Sequence, residues 1–286
     1  MDGAYTETRI GNGRFFEGDC FDVMRDLPDD SVDMVLCDLP YGTTQNKWDS
    51  VLPLDALWRE YRRVCRGPVV LTATQPFSSS LVMSQPCCFR YEWIWHKSKV
   101  TGVLNAKRQP LRQHEAVLVF SDGGSPPYNP QGVTAISKRA STGRKRGGVS
   151  SANYGAITET ADGTYEQTTT GYPRSVLPIA SEGKGFHPTQ KPVALFEYLI
   201  RTYTDEGMVV LDNTAGSGTT AIAAENAGRQ WICIERDPDY AEKARQRIRE
   251  HVGSPANVIS FVQPQAPAPP IRLEGSDALL WFALAV

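Results

Sequence analysis

The chain has 286 residues and a mass of 31.6 kDa, which is long enough to bury the core of one domain of roughly 200 to 250 residues plus an insertion. A hydrophobic content of 41% and a charged content of 22% exclude wholesale disorder and fibrous proteins. The six cysteines form no C-x-x-C pair, so we expect reduced thiols in a cytoplasmic protein and no disulfide framework or metal site. A signal pattern and an apolar run of membrane-spanning length are both lacking, so no membrane association is expected.

Strands alternate with helices along the first 120 residues. Apolar runs predict strands at 14–19, 32–38, 69–73, 91–95 and 114–120, and helical spacing predicts helices at 21–27, 54–65 and 77–83. This alternation is typical of an α/β fold with a mainly parallel sheet and helices on both faces.

The segment 121–185 has a different character, because Gly, Ser, Thr and Pro are dense and apolar periodicity fades. A long loop-rich segment inside a compact domain indicates a functional insertion or a small module. Basic residues are concentrated in and just before this segment, and between Lys97 and Arg146 only Glu115 and Asp122 oppose them. This concentration favours a nucleic-acid partner over a solvated basic face.

Regular structure resumes after residue 185. The pattern predicts a helix at 192–203, a strand at 208–212, a helix at 221–227, a strand at 230–235 and a helix at 239–251. Residues 263–270 form a linker rich in Pro and Ala, and the packing of the tail beyond it cannot be predicted.

The stretch Asp38-Leu39-Pro40-Tyr41-Gly42 closes the strand at 32–38. In open α/β sheets, ligands bind at the carboxyl ends of the strands. An acid there can accept hydrogen bonds from an amino group, a proline-fixed turn exposes a backbone carbonyl, and an aromatic ring can stack on a flat base. An ordinary strand exit with a helix-capping acid is the alternative.

A second stretch, residues 213–220, joins a buried strand to a helix through a Gly-x-Gly turn. The glycines allow a ligand to approach the backbone, and a helix start offers free N–H groups. Glu235 ends the next strand, where such folds place an acid against ribose hydroxyls. Because Ala221 replaces a third glycine and no Gly-Lys-Ser/Thr follows, an adenosyl ligand is favoured over a dinucleotide.

Together with His187-Pro188-Thr189-Gln190-Lys191-Pro192, these two stretches resemble the S-adenosylmethionine-dependent amino-methyltransferases of DNA. The resemblance covers roughly residues 13–251, and the order of the motifs resembles the permuted β group of that family. It implies a Rossmann-like, circularly permuted fold with a mostly parallel seven-stranded sheet. The implied domains are a catalytic half at 1–120, a target-recognition insertion at 121–185, a cofactor-binding half at 186–252, and a linker and tail at 253–286.

The resemblance also implies a mechanism. The Asp38 carboxylate and the Leu39 carbonyl would accept the two N–H groups of a flipped base, Pro40 would fix the turn, and Tyr41 would stack on the base. Leu39 departs from the family proline, and Asn213-Thr214-Ala215 departs from Pro-Phe/Cys-Ala, which makes the cofactor contacts before Gly216 less well defined.

The implied partners are S-adenosylmethionine and double-stranded DNA, with a homodimer as the expected assembly in a prokaryotic or phage-encoded protein. In the cofactor site, Glu235 would hold the ribose, Asp19 the adenine amine, and Thr189 and Lys191 the methionine carboxylate. The whole cofactor set is Asp19, Asp38, Thr189, Lys191, Asp212, Asn213, Ala215, Gly216, Ser217, Gly218, Thr219, Glu235 and Arg236. The DNA-binding set is Lys47, Trp48, Lys97, Lys99, Lys107, Arg108, Arg112, Lys138, Arg139, Arg144, Lys145 and Arg146.

Adenine N6 is the expected target, because an acid at position 38 resembles the adenine-specific form, and cytosine N4 is the alternative. Cytosine-C5 chemistry through Pro86-Cys87 is disfavoured, because this dipeptide follows a helix and leaves Asp38 without a role. A non-catalytic DNA-binding module is the alternative from another class, and the intact motifs oppose it. A nicotinamide dehydrogenase would need the missing third glycine.

Overall fold

The structure is a computed structural model that describes residues 5–42, 50–123, 125–141, 164–183 and 190–253. Its strands are β1 Thr6–Ile10, β2 Gly13–Glu17, β3 Met34–Cys37, β4 Val69–Ala73, β5 Phe89–Thr101, β6 Arg112–Phe120, β7 Thr134–Ser141, β8 Thr164–Thr170, β9 Val176–Leu177, β10 Val209–Asp212 and β11 Gln230–Glu235. Its α-helices are α1 Cys20–Asp26, α2 Leu54–Val64, α3 Phe77–Ser84, α4 Val193–Tyr203, α5 Thr219–Asn226 and α6 Pro238–Val252. A short 3-10 turn, Val103–Asn105, lies between β5 and β6.

Local sequence explains where α6 begins and ends. The Asp237 side chain accepts hydrogen bonds from the backbone N–H groups of Asp239 and Tyr240, and Pro238 occupies the first turn, where its missing N–H costs nothing. The helix ends at Gly253, whose φ of 69° is a left-handed conformation that glycine adopts readily. These signals confirm the helix that the sequence predicts at 239–251.

The main sheet has nine strands among the described residues, in the order β1-β2-β11-β10-β3-β4-β6-β5-β9. The pairs from β2 through β11, β10 and β3 to β4 are parallel, whereas β6 runs antiparallel to both β4 and β5. The expected α/β architecture is confirmed, and the seven strands from β2 to β5 form its central part. β1 and the two-residue β9 extend the sheet from seven strands to nine.

The two faces of the sheet carry separate hydrophobic clusters. Successive residues of β3 point to opposite faces, so Met34 and Leu36 join one cluster while Val35 and Cys37 join the other. The first cluster packs under α4, α5 and α6, and the second packs under α1, α2 and α3. Because β3 is buried on both sides, its carboxyl end is held rigidly.

The described part of segment 121–185 contains more strand than its composition predicts. β7 and β8 pair antiparallel in a two-stranded sheet of their own, and β9 joins the main sheet beside β5. Strand signals are weak there because Gly, Ser and Thr replace the apolar residues of a buried strand. The tail at 254–286 lies outside the described residues, and no helix within them is long and apolar enough to cross a bilayer.

Candidate active site

The two sequence motifs meet at one edge of the sheet. β3 and β10 are parallel neighbours, with Val210 opposite Met34 and Leu211 opposite Val35, so both strands end at the same edge. The Thr214 hydroxyl in the glycine turn donates to the backbone carbonyl of Asp38 over 3.2 Å. The structure therefore places the acidic motif and the glycine turn side by side, although they are far apart in the chain.

The Asp38 carboxylate is held by three donors among the described residues. Oδ1 accepts from the hydroxyls of Tyr41, at 2.6 Å, and Thr72, and Oδ2 accepts from Lys191 Nζ at 2.6 Å. An ionised carboxylate offers about four acceptor sites. One site on Oδ2 is thus left for a further N–H donor.

Lys191 belongs to a group of two acids and two lysines, which we call the charge cluster: Asp38, Lys97, Glu115 and Lys191. Glu115 lies 2.9 Å from Lys97 Nζ and 3.4 Å from Lys191 Nζ, and the side chains of both lysines are almost fully buried. Burial would raise the pKa of Glu115, but the two ammonium groups hold that pKa below its usual value. Burial would likewise lower the pKa of Lys191, and Asp38 and Glu115 raise it instead. The opposite charges therefore favour the ionised forms of Glu115 and Lys191, in a cluster of two acids and two lysines.

The charge cluster differs from the sequence-based expectation at Lys191 and at Glu115. Lys191 was expected at the methionine carboxylate of the cofactor, and its ammonium lies on Asp38. Glu115 was considered only as an isolated acid, and its role was missed. The available signal was its position in β6, because an acid that immediately precedes a buried apolar run is costly unless it is paired.

Tyr41 is half-buried beside Asp38. Its ring centroid lies 5.4 Å from that of Phe77 and 5.6 Å from Lys191 Nζ. Burial, together with the negative charge of Asp38, raises the pKa of Tyr41 well above its usual value, so the hydroxyl remains a donor. Leu39 is buried in the cluster beneath this turn, which explains why an apolar residue fits where the family has proline.

The glycine turn presents an oriented carboxylate. Gly216 has a φ of 51° and donates its N–H to Glu235 Oε2 over 2.8 Å, while the N–H of Asp237 donates to Oε1 over 2.8 Å. Burial raises the pKa of Glu235. Each carboxylate oxygen has a second acceptor site, so Glu235 has the right donor–acceptor chemistry for a pair of ribose hydroxyls.

Gly218 is required for packing on α6 and not for the approach of a ligand to the backbone. Its φ is 72°, and a Cβ there would lie 2.9 Å from Ile248 Cδ1 of α6, so glycine allows the turn to pack on that helix. Ser217 and Thr219 likewise serve the turn, since their hydroxyls lie 3.1 Å apart and both contact the guanidinium of Arg247.

Asp212 and Asn213 hold the start of the turn from below. Asp212 accepts from the Thr220 hydroxyl and from the Thr214 N–H, and burial raises its pKa to about 7. Asn213 Oδ1 accepts from Cys37 Sγ at 2.9 Å and from the Tyr61 hydroxyl. Asn213 therefore fastens the turn to β3 and α2 at the position where the family has proline.

A large cleft of about 1530 Å³ joins these parts. Its volume exceeds the roughly 300–1,000 Å³ of an ordinary ligand pocket, so it has room for two adjacent ligands. Ala215, Arg236 and Asp19 line the cleft, and Asp19 also caps α1 by accepting from the Phe21 N–H at 2.9 Å. Asp19 therefore acts as a helix cap in this structure, and its contact with the adenine amine stays a prediction.

The predicted DNA-binding residues divide by exposure. Lys99, Lys107, Arg108 and Arg112 are exposed on the β5–β6 hairpin, and Lys138 is exposed on β7. Lys97 is 8% exposed and paired with Glu115, so burial removes it from the set of surface phosphate contacts. Outside the described residues lie Lys47, Trp48, Arg144, Lys145, Arg146 and the side chain of Arg139, and so does Thr189 of the predicted cofactor set.

A mostly parallel α/β sheet with an acid, an aromatic turn and a glycine turn at one edge defines a nucleotide-type ligand site. The profile of the DNA methylase family, of the N6/N4 type, matches residues 79–246, more than half of the chain. This protein belongs to that family.

Individual relatives match shorter segments. The type II methyltransferase M2.DpnII of Streptococcus pneumoniae is 38% identical over 96 residues, 34% of this chain and 35% of that protein. The type II methyltransferase M.HindIII of Haemophilus influenzae is 48% identical over 70 residues, 24% of this chain and 23% of that protein. The chain spans about a third or less of the length of these curated relatives.

Solved structures match this chain over most of its length. A complex of M1.HpyAVI with SAM has a TM-score of 0.56 and 22% identity, covering 82% of this chain and 99% of that one. PvuII DNA methyltransferase, described as cytosine-N4-specific, has a TM-score of 0.57 and 16% identity, covering 85% and 92%. At these identities the likeness establishes the Rossmann-like methyltransferase fold.

Proposed function

We propose that this protein transfers the methyl group of S-adenosylmethionine to the N6 amine of an adenine flipped out of double-stranded DNA. One observation carries the proposal: Asp38 Oδ2 has one acceptor site left, beside the glycine turn and Glu235 in a single cleft. Family membership and a similar structure that holds SAM support the same cofactor here.

The proposed chemistry makes a poor nucleophile reactive. The lone pair of an exocyclic amine is delocalised into the ring of the base, and S-adenosylmethionine supplies an electrophilic methyl group. Asp38 Oδ2 accepts one amine N–H and the Leu39 carbonyl accepts the other, which directs the nitrogen lone pair toward the methyl group. As the N–C bond forms, the methyl–sulfur bond would break, S-adenosylhomocysteine would leave, and the methylated nitrogen would lose one proton to solvent. Proximity and fixed electrostatics then supply most of the rate.

Lys191 can contact Asp38, as the structure has it, and also the methionine carboxylate of the cofactor, as the sequence predicts. An ammonium has three donors; Asp38 accepts from one of them over 2.6 Å, and Glu115 lies 3.4 Å away as an ion-pair partner. Another donor can hold the cofactor carboxylate together with Thr189, while Glu235 holds the ribose and Asp19 the adenine. Lys191 would thereby connect the carboxylate that orients the target amine to the bound cofactor.

The substrate side of the proposal rests on the cleft wall and the basic residues. Tyr41 stacks on the flipped base, and the exposed cations of the β5–β6 hairpin contact phosphates. Segment 121–185 recognises the DNA sequence, and the protein works in the cytoplasm of a prokaryotic or phage-infected cell as a homodimer.

A methyl-transfer assay tests the proposal. Wild type, Asp38→Ala and the control Cys87→Ala are incubated with tritiated S-adenosylmethionine and unmethylated mixed-sequence DNA. We expect wild type and Cys87→Ala to label DNA, because Cys87 is exposed and away from the cleft, and Asp38→Ala to label none while still binding the cofactor in calorimetry.

Each other result has a definite meaning. Sequencing that finds N4-methylcytosine moves the target to cytosine. A wild type that binds DNA and leaves it unlabelled indicates a non-catalytic module. Loss of labelling in Cys87→Ala reverses the assignment of Asp38.

A further inference from the structure

The β5–β6 hairpin extends beyond the main sheet at the edge where the cleft opens. β4 pairs with β6 only from Ala116 to Phe120, and β9 pairs with β5 only at residues 94 and 95. Because β5 runs parallel to β3, its carboxyl end at Thr101 points to the same edge as Asp38. The outer half of the hairpin thus projects past the sheet on the side of the active site.

One face of this hairpin is a wall of the cleft. Trp95, Lys97, Lys99 and Thr101 are alternate residues of β5, and all four line the cleft. Lys97 is neutralised by Glu115, whereas Lys99 is exposed. Among the described residues, no acid pairs with Lys99, so the part of the wall nearest the hairpin tip carries a positive charge that is not neutralised there.

The tip combines exposed apolar side chains with cations. Leu104 is fully exposed and Val103 is 65% exposed, on the 3-10 turn that follows Gly102. Scattered exposed apolar residues are normal in soluble proteins. Here four of the ten large exposed apolar residues in the described part of the chain lie within residues 100–111: Val100, Val103, Leu104 and Leu111. Residues 96–114 contain no acid, and exposed cations interleave the apolar positions: Lys99, Lys107, Arg108 and Arg112.

We propose that the Val103–Leu104 tip is a wedge that enters between base pairs beside the target base, with the hairpin cations on the flanking phosphates. The inference rests on the proposed function. Apolar side chains that enter between base steps unstack DNA, and a target base must leave the stack before it can be modified. The phosphates of DNA would pair with the hairpin cations, its stacked bases would contact the apolar tip, and the cleft wall connects the tip to Asp38. An anionic lipid surface could also bind cations and apolar side chains, but it would not explain why the tip lies beside the active-site cleft.

Plasmid unwinding tests the wedge without knowledge of the recognised sequence. A nicked plasmid is closed by DNA ligase in the presence of wild type, Leu104→Ala or the control Met83→Ala. Each protein is used at a concentration that gives the same occupancy of the plasmid, and the linking number is measured after the protein is removed. Met83 is a suitable control because it is 73% exposed and lies on α3 outside the cleft. Tm values and cofactor affinities confirm that the variants fold.

We expect wild type and Met83→Ala to lower the linking number and Leu104→Ala to lose most of that change. On DNA that is methylated by wild type, Leu104→Ala should lower kcat/KM roughly tenfold or more, since unstacking a base costs a few kcal/mol. Equal unwinding by Leu104→Ala, or none by wild type, overturns the wedge. So does selective loss of dimer formation, or of binding to vesicles of anionic phospholipid, in Leu104→Ala. Unwinding without methyl transfer by wild type would instead refute the proposed function and leave the wedge standing.

Discussion

Replacing Glu115 by Gln tests whether the charge cluster is held together by mutual neutralisation. The change keeps the size of the side chain and removes its charge. It leaves Lys97 and Lys191, both nearly buried, in a cluster whose one remaining acid, Asp38, pairs with Lys191. Glu115 is itself only 13% exposed at its side chain, so water cannot easily take its place.

The magnitude follows from these distances. At an effective dielectric constant of about 20, unit charges 2.9 Å and 3.4 Å apart attract by roughly 5 kcal/mol each, and the cost of burying the carboxylate offsets much of this. Removing one partner of a buried pair typically costs about 3–5 kcal/mol. We therefore expect Glu115→Gln to lower the free energy of unfolding by about 3 kcal/mol at pH 7.

Urea denaturation of wild type and Glu115→Gln measures this difference. Because the folded pKa of Glu115 lies below its ordinary value of 4.5, its contribution is complete above that pH and is lost as the pH falls through the folded pKa. The double variant Lys97→Met/Glu115→Gln restores neutrality and should recover part of the loss. Glu242→Gln is the control and should change stability by less than about 1 kcal/mol, because the Glu242 side chain is 60% exposed and its largely buried partner Arg245 keeps Glu17 as a second partner. A loss below about 1 kcal/mol in Glu115→Gln, or one that does not vary with pH, would refute the reasoning.

Three further predictions follow. Burial raises the folded pKa of Asp212 from 3.8 to about 7, so the stability contributed by its protonated form is complete below pH 3.8 and is lost as the pH rises through 7. The free energy of unfolding of Asp212→Asn, measured in thermal or urea unfolding, should therefore rise relative to that of wild type between pH 3.8 and 7, by at most on the order of 4 kcal/mol. A difference between the two proteins that does not vary with pH would contradict this. Gly218→Ala should lose about 1–3 kcal/mol, and Ile248→Val should restore part of it if the clash is the cause. Tyr41→Phe keeps the ring and removes a hydrogen-bond donor to Asp38, so kcat should fall roughly tenfold while the affinity for the cofactor is unchanged. An unchanged kcat would show that the Tyr41 hydroxyl has no role in the reaction.

The sequence predicts the central elements well, because each buried strand is a short apolar run stopped by Gly, Pro or an acid. β4 and β11 agree with the structure to the residue. β1 was missed because it lies at the edge of the sheet and buries only Thr8 and Ile10, which leaves little apolar pattern to read. β7 and β8 were missed because Ser, Thr and charged residues leave little apolar alternation in their sequences.

The site was predictable in part. Asp38, Tyr41 and Glu235 could be placed at strand ends, because parallel strands share their carboxyl edge. The pairing of Lys191 with Asp38, and of Lys97 with Glu115, could not be predicted, since it depends on the register of β5 against β6 and on where the residues before α4 lie relative to β3. Local spacing along the chain contains no information about such contacts.

The most direct test of the central claim is a crystal structure of the protein with S-adenosylmethionine. If Asp38 orients the accepting amine, the amine nitrogen lies about 3 Å from Oδ2 and about 3–3.5 Å from the methyl carbon, so Oδ2 and the methyl carbon should be roughly 5–6 Å apart across the cleft. Glu235 should contact the ribose in the same structure. A methyl group that points away from Asp38, or a cofactor bound outside the glycine turn, would contradict the proposed reaction.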